Sequence, residues 1–128
     1  MRKVISMGVK PDMCIYANPV KQEDHIVTAK VLGIKKMTFD SIEELEKIKK
    51  HFPKAECILR IAVVTTTAVY NLSEKFGAFM EDVPKMLEAG KKLGLRIKGV
   101  AFHTGSGGVT FKAYRESLVN ARTIFDMA

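Results

Sequence analysis

The chain has 128 residues, 47% of them hydrophobic, and a formal net charge of +7. This length and apolar content suit one domain over residues 1–128 with a sizeable core and exclude a disordered chain. No apolar run reaches the roughly 18 residues of a membrane span, no secretory stretch opens the chain, and Cys14 and Cys57 read as reduced core residues of a cytoplasmic protein.

The elements alternate. Met1 to Gly8 reads as a short helix end, and Val9 to Asp12 leads into a strand from Met13 to Ala17. Asn18-Pro19 is a turn signal. Lys21 to Leu32 reads as a helix with Ile26, Ala29, Val31 and Leu32 as its apolar side, stopped at Gly33. Lys36 to Phe39 is a second strand. Ser41 can cap the next helix, with Glu44 completing a capping box; Ile42, Leu45 and Ile48 form its apolar stripe, and Pro53 ends it. Glu56 to Val64 is an almost wholly apolar third strand, as expected of a parallel strand covered on both faces. Thr65 to Met80 reads as a long irregular loop, Val83 to Leu93 as a helix ending at Gly94, Arg96 to His103 as a fourth strand, and about Phe111 to Met127 as a last helix. Strand and helix alternate four times with no hairpin. The pattern predicts an α/β fold of four βα units with parallel strands, either a small open sheet or part of an eight-fold barrel. In both, ligands gather beyond the carboxyl ends of the strands.

The basic residues are dispersed over several helices, stacking aromatics are few and no nucleic-acid motif occurs, so the charge reads as a solvated face. His25, His51 and His103 lie in unrelated contexts without zinc spacing, no Walker loop is present, and the surroundings of Ser106 do not match a nucleophile elbow. What stands out is two strands carrying polar groups. Side-chain alternation puts Ile58, Arg60 and Ala62 on one face of the third strand, and Ile97, Gly99, Ala101 and His103 on one face of the fourth. Arg60 suits either a buried ion pair with a carboxylate or an anionic ligand. His103 suits either a backbone-bonded core histidine or an imidazole lying against a flat ring. Gly105-Ser106-Gly107-Gly108 is either a simple turn or a cradle of backbone N–H groups for an anion.

Several strings resemble the eukaryotic ornithine decarboxylase family: Tyr16 to Gln22 (YANPVKQ), Met37 to Ser41 (MTFDS), His51 to Ala55 (HFPKA), Leu59 to Ala62 (LRIA), Leu72 to Ala78 (LSEKFGA), Gly99 to Gly107 (GVAFHTGSG) and Ala121 to Ala128 (ARTIFDMA). The resemblance covers essentially the whole chain. It implies the pyridoxal 5′-phosphate barrel of the alanine-racemase-like decarboxylases, a TIM (β/α)8 barrel, of which these four units are about half. It implies that His103 stacks on the cofactor ring, that Ser106 with Gly105 and Gly107 holds the phosphate, and that Arg60 lies beneath the ring and orients the acidic partner of its nitrogen.

By the same resemblance, Asp40, Lys75 and Phe76 fall at a homodimer interface. Glu23 to Glu46, including Lys30, Lys35 and Lys36, falls in the region that binds antizyme. The family reaction converts L-ornithine to putrescine and CO₂. The alternatives are a non-catalytic, antizyme-inhibitor-like regulator, and a relative acting on lysine, arginine or diaminopimelate. The chain departs from the family at Val20, Thr104 and Val109 to Lys112. The Schiff-base lysine, the second glycine-rich loop and the glutamate facing the ring nitrogen have no counterpart in the sequence, so the chain alone is not expected to decarboxylate ornithine. No metal, nucleic-acid or membrane role is expected.

Overall fold

The computed structural model describes residues 1–63, 76–104 and 111–128. Strands β1 (Ile15–Tyr16), β2 (Lys36–Phe39), β3 (Glu56–Ile61) and β4 (Arg96–Phe102) form one sheet in the order β1-β2-β3-β4, every pair parallel. Helix α1 (Arg2–Ser6) precedes β1 and α5 (Phe111–Met127) follows β4, while α2 (Glu23–Val31), α3 (Ile42–His51) and α4 (Val83–Lys92) lie between successive strands.

One sheet face carries the core. Met37, Phe39, Cys57, Leu59 and Ile61 are buried against Ile26 and Ala29 of α2, Leu45 and Ile48 of α3, and Val83 and Met86 of α4. On β3 the pattern is strict: Cys57, Leu59 and Ile61 are buried, and Glu56, Ile58 and Arg60 are half-buried on the opposite face. That second face is the more open one. Among the described residues, no helix is long and apolar enough to cross a membrane.

The expected elements are present, with corrections at their ends. The first strand is shorter than Met13 to Ala17, because Pro11–Met13 forms a 3-10 turn closed by the Cys14 N–H on the Pro11 carbonyl, 3.1 Å. Cys14 is therefore half-buried beside the core and not in it. Helix α2 begins at Glu23, not Lys21, and its Val31 is 79% exposed. Five residues beyond Ile26, Val31 lies about 140° round the helix from the buried stripe. The third strand ends at Ile61, where Ala62 turns its N–H to the Ala78 carbonyl at 2.9 Å. The capping box is half made. Ser41 accepts the Glu44 N–H at 3.2 Å, but the Glu44 carboxylate turns away to Lys21.

Burial pushes the Cys57 thiol up from 9.0 to about 12, a shift that nearby Lys21 opposes. A raised thiol value makes a stability contribution that is complete below pH 9 and is lost as pH rises toward 12, because only the unfolded chain ionises in that window. The stability advantage of the parent over Cys57→Ala is therefore expected to shrink by about 2–3 kcal/mol between about pH 8 and pH 11. Urea unfolding across that range checks it; a constant difference would contradict the burial argument.

Candidate cofactor site

The site is built from the carboxyl ends of β3 and β4 and the turns beyond β1 and β2. The β3–β4 register places Ile58 beside Gly99 and Arg60 beside Ala101. Alternation then puts His103, exposed one residue past the end of β4, on the same side as Ala101 and Arg60. The register thus agrees with the sequence reading for Arg60 and Ala101, the last residue of that face inside β4. Ile97 does not share it. The ladder shifts between Cys57 and Ile58, so that Ile97 pairs with the buried Cys57 while Gly99 pairs with Ile58. A methyl group added at Gly90 of α4 would lie 2.6 Å from Ile97 Cδ1, which places that side chain under the helix layer. The extra residue of the bulge flips the face.

Arg60 has an aromatic neighbour. Its guanidinium lies over the Phe76 ring, 5.3 Å from the centroid. No carboxylate pairs with it among the described residues. Phe76 arrives on a short segment pinned to the end of β3: the Ala78 N–H donates to the Arg60 carbonyl, and Ala62 donates to the Ala78 carbonyl, both 2.9 Å. Between them Gly77 donates its N–H to Asp40 Oδ2 at 2.8 Å. Asp40 is the residue just after β2, so this bond ties the ends of β2 and β3 together.

A second polar cluster lies one step along the same sheet end. Lys21, whose side chain is 0% exposed, reaches the carbonyls of Asn18, Pro19 and Thr38 and lies 2.7 Å from Glu44 Oε1. Glu44 also meets Lys47 at 2.6 Å. Burial pulls the Lys21 ammonium below its ordinary range, and its bond to Glu44 opposes that pull. Sequence reasoning missed this cluster by reading Lys21 as the first residue of a helix that begins at Glu23. It also missed the bond between Gly77 and Asp40, for no local pattern links positions so far apart.

Other expected positions are elsewhere. Lys30, Lys35 and Lys36 are exposed at the end of α2 and the start of β2, at the opposite end of the sheet from His103. Lys36 donates to the Asp12 carbonyl at 3.0 Å. His51 pairs with Glu23 at 2.9 Å, and His25 meets the Tyr16 hydroxyl at 3.3 Å. Lys75, Gly105, Ser106 and Gly107 lie outside the described residues.

What remains on the open face suits a flat, anionic ring. Gly99 and Ala101 are small, and a Cβ added at Gly99 would come to 3.5 Å from Ile58 Cδ1, an ordinary contact, so a methyl group fits there. Arg60 supplies a cation on that face, where it pairs with Ala101. Among the described residues, no group of three histidine, cysteine, aspartate or glutamate side chains could hold a metal ion.

Comparison with known proteins agrees with that chemistry. Residues 1–128 match the family described as pyridoxal-dependent decarboxylase, pyridoxal binding domain. The chain is 45% identical to the ornithine decarboxylase of Saccharomyces cerevisiae over 126 residues, 98% of this chain and 27% of that protein. It is 42% identical to antizyme inhibitor 2 of Xenopus laevis over 125 residues, again 98% of this chain and 27% of that protein. The crystal structure of the Paramecium bursaria Chlorella virus arginine decarboxylase superposes with a TM-score of 0.96 at 36% identity, covering 99% of this chain and 35% of that one. The chain therefore spans about a third or less of the proteins it matches, and its parallel sheet is the corresponding part of their barrel.

Proposed function

The chain belongs to the pyridoxal-dependent decarboxylases, over their pyridoxal binding domain, and from that premise we propose that it forms the cofactor-holding wall of an ornithine decarboxylase. One observation supports the reading: Arg60 pairs with Ala101 on the open face of neighbouring parallel strands, and alternation from Ala101 would bring His103 to the same side. Bound there, pyridoxal phosphate supplies a sink for the electron pair left when CO₂ departs. His103 would help hold the ring, Arg60 would orient the acidic partner of the ring nitrogen, and Gly105, Ser106 and Gly107 would hold the phosphate. Ornithine as the substrate is supported by the 45% identity with the yeast enzyme. In this reading residues 1–128 act as one domain of a cytoplasmic homodimer, with Asp40, Lys75 and Phe76 at its interface.

The test is binding of pyridoxine 5′-phosphate, which lacks the aldehyde and so cannot react with surface lysines. In calorimetry, Arg60→Ala and His103→Ala are each expected to weaken its affinity by about tenfold or more. Parent affinity in both variants would end the reading.

The relationship to antizyme inhibitor 2 favours a second reading, a regulatory one. In it, Lys30, Lys35 and Lys36 form a basic surface for antizyme, far from the cofactor face. Reversing the three charges together is expected to abolish antizyme capture and leave pyridoxine 5′-phosphate affinity unchanged. Undiminished capture would reject this surface.

A further inference from the structure

Arg60 has a long, jointed side chain, and something must hold its guanidinium at the open face if it is to serve a cofactor there. The neighbour is the Phe76 ring, 5.3 Å away. Phe76 itself is positioned through the peptide that joins it to Gly77. That peptide is planar, so fixing its N–H fixes the direction of the Phe76 Cα. The N–H is fixed by Asp40 Oδ2 at 2.8 Å.

The rest of the segment leaves Gly77 little freedom. Its φ of +110° is a conformation glycine adopts readily and other residues rarely. It lies so close to β3 that a Cβ would sit 2.6 Å from the Ala62 nitrogen. Ala78, next in the chain, is bonded through its N–H to the carbonyl of Arg60 itself. The backbone of Arg60 and the ring over its side chain thus belong to one clasp, and Asp40 supplies its side-chain fastening. Resting on the reading that Arg60 serves the cofactor, we propose that Asp40 is a positioning residue. By holding the Gly77 N–H it sets the Phe76 ring that directs the Arg60 guanidinium toward the ligand.

This role differs from a charge role at a subunit interface, because a hydrogen bond needs an acceptor oxygen and not a negative charge. Pyridoxine 5′-phosphate affinity, measured on the full chain by calorimetry, separates the two. Asp40→Ala is expected to weaken binding by about tenfold. Asp40→Asn keeps an oxygen for Gly77 and is expected to stay within about twofold of the parent. In an Arg60→Ala background, Asp40→Ala is expected to change nothing further, the signature of one residue acting through another. Phe76→Leu removes the ring and leaves the Gly77 bond, and is expected to lose as much as Asp40→Ala.

Equal losses from Asp40→Asn and Asp40→Ala would overturn the proposal. So would a full Asp40→Ala loss in the Arg60→Ala background, or parent affinity in Phe76→Leu, a result that decides the matter even where Asp40→Ala fails to fold. If Arg60→Ala alone binds like the parent, the cofactor reading falls and this inference with it. If Arg60→Ala binds weakly and Asp40→Ala does not, only the inference falls.

Discussion

Lys21→Met is expected to cost about 3–5 kcal/mol of folding stability, because it strands the buried Glu44 carboxylate. The methionine fills much the same volume, so the loss is electrostatic and not a cavity effect. Glu44 is 3% exposed. Without Lys21, its remaining cation among the described residues is Lys47, whose side chain is 23% exposed and shares its charge with solvent. The carbonyls of Asn18, Pro19 and Thr38 lose a common donor at the same time. Adding Glu44→Leu to Lys21→Met removes the stranded charge and is expected to recover about half the loss, because the carbonyls stay unmet. Urea unfolding of the two variants and the parent measures both quantities. A single-variant cost below about 1 kcal/mol would mean that the pair behaves like an exposed one.

Gly77→Ala is expected to destabilise by about 2–5 kcal/mol, from two causes that add. The φ of +110° is strained for any side chain. The new methyl would also meet backbone, 2.6 Å from Ala62 N and 2.7 Å from the Ile61 carbonyl carbon, where nothing can rotate aside. Gly94→Ala is the control. Its φ is also positive, +63°, but the nearest atom to its Cβ would be Lys49 Nζ at 3.8 Å, the end of a flexible chain. Its cost is expected to be about 1–2 kcal/mol, from the backbone alone. Comparable thermal shifts for the two would show that close packing of residues 76–78 on β3 contributes nothing.

Much of this fold was legible because its signals are local. Apolar runs marked the strands, and the stripe of Leu45 and Ile48 marked a helix face that proved buried. The common face of Arg60 and Ala101 was legible for the same reason, since alternation needs only a strand. Alternation misled at Ile97, where one inserted residue sends the side chain to the helices; the signal was Gly99, since a lone glycine inside a strand marks a bulge. The Lys21–Glu44 pair was illegible for a different reason. A lysine after a proline turn looks solvated, and only the approach of two βα turns makes it buried. Asp40 was identified by resemblance as an interface residue, while its bond to Gly77 depends on a chain reversal that no short motif records.

The strand order has a consequence for biosynthesis. Each strand pairs with the one before it in the chain, from β1 through β4. A polypeptide leaving the ribosome therefore has the correct neighbour already waiting when each new strand emerges. Among the described strands, the edge facing each new strand is covered within the synthesis time of one βα unit.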